Sequence, residues 1–113
     1  MIPKRIWLSA PHMSGYEQQF VAEAFESNWI APLGPNVDAF EQQLADYIQV
    51  KAVTALNSGT AALHLALIEA GVKKDDVVLC QSLTFAASAF PITYLGAEPV
   101  FIDSELTTWN MDP

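Results

Sequence analysis

The sequence predicts an α/β fold built on a parallel sheet, in the element order α-α-β-α-β-α-β. Short apolar runs recur at 52–56 ("AVTAL"), 77–80 ("VVLC") and 99–103 ("PVFID"), apolar on both faces as buried parallel strands are. Segments of helical periodicity lie between them, and strands alternating with such helices predict a sheet with right-handed crossovers. Half of the 113 residues are apolar (51%), enough for a substantial core and too many for a disordered chain.

Each element has a local cause. "SGYEQQFVAEAFES" opens with Ser14 and, three residues on, Glu17, a capping-box arrangement with Ser14 as N-cap. Phe20, Val21, Ala24 and Phe25 then share one helical face, and the helix is expected to stop near Asn28. "NWIAPLGP" follows as a loop, since two prolines and a glycine break regular structure. Its Trp29, Ile30 and Leu33 exceed what a solvated linker needs, so they dock on a core or line a pocket. A second helix starts at Pro35 or Asn36, where proline suits the first turn, with Val37, Phe40, Leu44, Tyr47 and Ile48 as its apolar stripe. After "AVTAL" comes a turn and helix, "NSGTAALHLAL", ending at Gly71 with the C-terminal glycine signal. "KKDD" reads as a charged surface turn. "TFAASAFPITYLG" reads as a helix that Pro91 kinks or ends. The last stretch, "DSELTTWNMDP", brings no closing element, so a longer protein is expected.

Five Lys and Arg stand against thirteen Asp and Glu, a formal charge of -8. That balance argues against nucleic-acid or anionic-membrane surfaces, which call for a basic patch. It leaves room for a small anion, because backbone N–H groups hold phosphate without Lys or Arg. Cys80 has no partner for an intrachain disulfide and reads as a small buried hydrophobe. No long apolar segment follows the basic pair Lys4–Arg5, and residues 83–97 are too short and too polar to span a bilayer. A cytoplasmic protein is expected.

The chemistry concentrates at residues 57–61. In open α/β sheets ligands sit where strands end and helices begin, and Ser58, Gly59, Thr60 and Ala61 occupy that junction. Free N–H groups and the positive end of the helix dipole favour a phosphate. Gly59 permits close approach, and the Ser58 and Thr60 hydroxyls add donors. The plain alternative is an ordinary Ser N-cap. Neither a G-x-x-x-x-G-K loop nor a G-x-G-x-x-G fingerprint is present.

"NSGTAALHLAL" and "DDVVLCQSLTFAASAFPITYLGAEPVFID" together resemble the N-terminal part of the sugar aminotransferases that use pyridoxal phosphate (PLP), the DegT/DnrJ/EryC1/StrS family. The resemblance runs from "LSAPHMSGYE" to "NMDP". It implies the aspartate aminotransferase-like, three-layer α/β/α large domain, with residues 1–113 as its N-terminal part and no second domain in this chain. "PHMSG" and "NWIAPLGP" resemble most closely the enzymes that aminate UDP-4-keto-6-deoxy-N-acetylglucosamine at C4 for bacillosamine-type sugars. Position by position, Gly59, Thr60 and Ala61 would meet the PLP phosphate, and Phe85 would stack on the pyridine ring. Asn28, Trp29, Ile30 and Ala31, with Gly59, would approach the nucleotide sugar. Glutamate is the implied amino donor and a homodimer the implied assembly.

Phe90 fits a plain core aromatic, His64 a core or interface histidine, and Asp103 a structural cap; His12 marks the family without a visible role. Transamination also needs a Schiff-base lysine and a carboxylate against the pyridine nitrogen. Lys4, Lys51, Lys73 and Lys74 all sit in polar contexts, and none matches the family's catalytic lysine. The resemblance therefore implies no catalytic residue in this chain, and a chain inactive alone. In the family's sheet, ordered 3-2-4-5-6-7-1, the three strands here would be the first three, and strand 1 would not touch strand 2. Apolar strand edges would then be bare, a liability for aggregation. Two readings from other classes remain: a small phosphate- or nucleotide-binding module without covalent catalysis, and a non-catalytic remnant.

Overall fold

The computed structural model describes Arg5, Trp7 and residues 9–113; Lys4 and Leu8 lie outside the described residues. It divides into two compact units, 1–55 and 56–113.

The first unit carries two helices, α1 (Glu17–Glu26) and α2 (Pro35–Ile48). The start of α1 uses half of the expected capping box. The Glu17 carboxylate reaches back to accept from the N–H of Ser14 at 2.6 Å and of Gly15 at 2.9 Å. The Ser14 hydroxyl accepts from Tyr16 N–H at 3.4 Å instead of serving the third helical residue, and Tyr16, not Ser14, stands at the N-cap. Asn28 ends α1 in the left-handed conformation, φ 58°. Its N–H donates to Phe25 C=O at 3.2 Å and that of Trp29 to Ala24 C=O at 3.0 Å, the paired bonds of a Schellman cap. Pro35 then starts α2 as expected. The apolar stripes are only partly covered: Ala45 is buried, while Phe20, Val21, Phe25, Phe40, Tyr47 and Ile48 remain exposed.

Residues 52–56 do not form the expected strand. A strand exists through its ladder, and among the described residues the sheet contains only the two later strands. Ala55 N–H finds a side chain instead, donating to Glu41 Oε1 at 2.7 Å.

The second unit is α3 (Gly59–Glu69), β1 (Val77–Gln81), a 3-10 turn (Ala86–Ser88), α4 (Phe90–Tyr94) and β2 (Glu98–Ile102). Gly71 closes α3 at φ +83°. Its N–H donates to Ile68 C=O and that of Val72 to Leu67 C=O, a second Schellman cap, with Val72 and Leu67 both packed on the core. "KKDD" is the surface turn expected, tied by Lys73 N–H donating to Asp76 Oδ2 at 2.7 Å. β1 and β2 pair in parallel, from Val77 opposite Glu98 to Gln81 opposite Ile102.

Three expectations fail here. "TFAASAFPITYLG" is not one helix: a 3-10 turn precedes a five-residue α4, and Pro91 starts that helix rather than ending it. Proline lacks an N–H and suits a first turn, so the break falls before it. The strands are buried on one face only. Cys80 is 6% exposed, whereas Val77, Leu79 and Phe101 are open. Phe90, expected in the core, is half-exposed; Ile92, Cys80 and Ala97 form the core, with Leu67, Val72, Val78 and Ala89 against it. His64 meets Tyr94 edge-on at 5.5 Å between ring centres.

Candidate functional site: a helix start facing an aromatic ring

Ser58 is the N-cap of α3, extended at φ -162°, ψ 155°. Its Oγ accepts from Ala61 N–H at 3.2 Å, and its carbonyl accepts from Ala62 N–H at 3.1 Å. The plain N-cap is therefore present, and it uses the N–H of Ala61. The N–H groups of Gly59 and Thr60 precede the first intrahelical bond and have no helical acceptor. They are the donors the helix start offers to a ligand.

Gly59 has no conformational reason to be glycine. The other four glycines of the chain lie at positive φ, between +72° and +125°, and Gly59 does not. A Cβ there would meet no atom within 4 Å. Within this chain, neither the backbone conformation nor a neighbouring atom asks for glycine at 59.

Gly59 borders a cleft of about 380 Å³, lined also by Thr60, Leu63, Phe85, Ala87 and Ser88, within the roughly 300–1,000 Å³ of small-ligand sites. Phe85 follows the carboxyl end of β1, is 83% exposed, and enters the cleft from the residue before the 3-10 turn. The structure thus brings together Gly59, Thr60 and Phe85; Ala61 is not among the lining residues. Leu63, Ala87 and Ser88 were not legible as site residues, because "TFAAS" reads as helix and hides which side chains converge.

A second loop at the carboxyl ends of the strands is tied down by its own side chains. Gln81 Nε2 donates to Ser104 Oγ at 3.0 Å and to the Trp109 carbonyl. Glu105, held well below the ordinary 4.5 at about 2 by the Thr108 hydroxyl and then the Thr107 and Thr108 N–H groups, closes the turn. Asp103 accepts from Ser104 N–H at 2.8 Å, the local structural role expected of it.

In the first unit, Trp29, Ile30 and Ala31 shape two clefts, and Asn28 lines neither of them. One, of about 520 Å³, includes Glu23, Glu26, Trp29, Ala31, Leu33 and Asn36 among its lining. The other, of about 540 Å³, is lined by Val21, Ala24, Phe25, Trp29, Ile30, Ala31 and Pro32. Trp29 lies between them, its ring seated on Gly34, where a Cβ would come within 2.9 Å of the indole. Trp29, Ile30 and Leu33 line pockets rather than docking on a core. Among the described residues there is no cluster of potential metal ligands and no helix long and apolar enough to cross a membrane.

The sequence profile of the DegT/DnrJ/EryC1/StrS aminotransferase family matches residues 11–113. EpsN of Bacillus subtilis (strain 168), whose name proposes a pyridoxal phosphate-dependent aminotransferase, is 63% identical over 110 residues, covering 97% of this chain and 28% of the relative. GDP-perosamine synthase of Caulobacter vibrioides is 44% identical over 108 residues, covering 96% of this chain and 29% of that protein. Among solved structures, the proposed sugar aminotransferase Spr1654 from Streptococcus pneumoniae, in its PLP form, superimposes with a TM-score of 0.84 at 36% identity. That match covers 96% of this chain and 28% of that one. The chain thus spans under a third of the length of the relatives it matches. The fold is the aspartate aminotransferase-like fold of these neighbours, and the family's cofactor is PLP.

Proposed function

This chain belongs to the DegT/DnrJ/EryC1/StrS aminotransferase family, and we propose that the whole protein is a PLP-dependent nucleotide-sugar aminotransferase. Its expected reaction moves an amino group from glutamate to C4 of a UDP-4-keto-6-deoxy-N-acetylhexosamine, in the manner of bacillosamine-type sugar synthesis. The observation that carries the cofactor part is the single cleft shared by Gly59, Thr60 and Phe85.

The residues present fit the cofactor. Gly59 and Thr60 direct two unpaired N–H groups outward at a helix start, a built anion site, and the Thr60 hydroxyl adds a third donor. Ala61 contributes an N–H shared with Ser58 Oγ. Phe85 supplies a flat apolar face for the ring, and Leu63 and Ala87 add apolar lining to the same cleft. PLP, when bound, supplies the electron sink for amino transfer. This chain's own part is to bind and orient it. Lys73 and Lys74 lie outside the cleft lining, and none of the chain's four lysines matches the family's catalytic lysine in sequence, so we place that lysine outside these 113 residues and expect the chain alone to be inactive.

The loop at Asn28, Trp29, Ile30 and Ala31 is proposed for the sugar. Its half-exposed Trp29 and Ile30 offer apolar cover to a deoxy sugar whose C6 is a methyl group, and the Asn28 amide offers donors and an acceptor to the polar edge. Gly59 is proposed to serve the same substrate. A homodimer is the proposed assembly, with residues 28–31 near its seam and no nucleic acid or membrane partner. The similarity to GDP-perosamine synthase favours a second reading, in which the sugar is carried on guanosine diphosphate.

A competition assay tests both. The full-length protein, with glutamate and PLP, is offered UDP- and GDP-linked 4-keto sugars and a 3-keto sugar, with the 113-residue chain as a parallel arm. Preferred amination of the UDP-4-keto-N-acetyl sugar, and none by the short chain, is expected. Faster amination of a GDP-linked sugar selects the second reading, and faster amination of the 3-keto sugar defeats both.

A further inference from the structure

We propose that Thr84 and Ser88 are positioning residues for the cofactor ring: the bond between their hydroxyls locks the turn that presents Phe85. The proposal rests on the reading of Phe85 as the face on which the ring lies. A stacking face works only if its tilt is fixed, and functional side chains are held to roughly 10–20° by supporting contacts. Packing does not supply that support here, since Phe85 is 83% exposed. Its orientation must come from the backbone that carries it.

That backbone is a weak element. Phe85, at φ -71° and ψ 137°, precedes a 3-10 turn of three residues, and such turns have poorer hydrogen-bond geometry than α-helix. Ser88 N–H donates to Phe85 C=O at 2.8 Å, so it does not reach the carbonyl of Thr84 as it would in an α-helix. The missing four-residue link is made by side chains: Thr84 Oγ1 and Ser88 Oγ lie 2.8 Å apart. Thr84 is itself anchored by its N–H donating to Ser82 C=O at 3.1 Å. The hydroxyl pair thus spans Phe85 from the residue before it to the residue that lines the cleft with it. No other side-chain hydrogen bond crosses this turn among the described residues.

The test uses the full-length protein and variants Thr84→Val, Ser88→Ala, their combination, Thr84→Ser and Phe85→Leu. PLP affinity is read by titration, and ring orientation by visible circular dichroism per bound cofactor, with far-ultraviolet spectra checking the fold. Loss of one neutral hydrogen bond predicts a Kd raised about two- to tenfold in each single variant, with reduced dichroism. The combination should be no worse than either single change, because both remove the same bond, and Thr84→Ser should retain wild-type behaviour. If Thr84→Val does not fold, Ser88→Ala carries the same expectation. Wild-type affinity and dichroism in Thr84→Val, with Phe85→Leu weakened, would overturn the positioning role alone. A defect in Ser88→Ala without one in Thr84→Val would also overturn it, assigning Ser88 a direct contact. An unaltered Phe85→Leu would remove the stacking reading and this proposal with it.

Discussion

The two units of this chain use similar amounts of apolar sequence to very different ends. In the second, a parallel strand pair and two helices enclose Ile92, Cys80 and Ala97. In the first, two amphipathic helices bury Ala45 and leave Phe20, Phe25, Phe40 and Tyr47 in the open. Amphipathicity by itself does not make a core; a helix face is buried only when another layer closes on it. α3 makes the same point inside the second unit. It is apolar around most of its circumference, as helices between two layers are, yet Leu63, Leu65 and Ile68 remain well exposed on it.

The largest expected effect breaks that comparison directly. Ile92, 2% exposed, should cost about 2–5 kcal/mol when changed to alanine, whereas Phe25→Ala in the 113-residue chain should lie within about 0.5 kcal/mol of zero. Urea unfolding measures both. Equal losses would mean that the first unit has a core of its own. A loss at Phe25 confined to the full-length protein would instead identify its face as one covered there.

A smaller effect is expected at the end of α3. Gly71 sits at φ +83° with open space where a Cβ would go, so Gly71→Ala should cost about 1–2 kcal/mol from backbone strain alone. A thermal midpoint unchanged from wild type would show that the left-handed cap is dispensable.

The smallest effect concerns pH. Glu17 is drawn from the ordinary 4.5 to about 2, first by the backbone N–H of Ser14, then by its own N–H and the Ser14 hydroxyl. A carboxylate whose pKa is lowered by folding contributes stability above its unfolded value, and that contribution is lost as pH falls from about 4.5 toward 2. The group is fully exposed, so the expected readout is its own titration: a carboxyl carbon midpoint near 2 by nuclear magnetic resonance. A midpoint at the ordinary value would remove the carboxylate from the start of α1.

What could be read from the sequence divides along the same physical line. Local signals carried well: the glycine after α3, the proline opening α2 and the serine before α3 are each settled by neighbours within a few residues. Signals that depend on distant partners did not. "AVTAL" has strand composition but no ladder partner in the sheet formed here. "TFAASAF" has helical periodicity, yet Pro91 cannot sit deep in a helix, so the chain breaks before it and turns Phe85 into the cleft. The cleft was half legible. Gly59, Thr60 and Phe85 stood out by type and position, while Ser88 and its bond to Thr84 depend on the 3-10 turn that the periodicity concealed.

The central claim is that Gly59 is glycine for a ligand's sake, and Gly59→Ala in the full-length protein tests it most directly. With no positive φ and no atom near the added Cβ, the variant should fold with its melting temperature unchanged or raised, since alanine favours a helix over glycine by about 1 kcal/mol. PLP affinity should nevertheless fall about tenfold or more, because the methyl group fills the approach to the Gly59 and Thr60 N–H groups and overfilling a fitted site costs about 1–3 kcal/mol. Stability and cofactor affinity would move apart. A variant that binds PLP as tightly as wild type would contradict the assignment of this helix start to the cofactor.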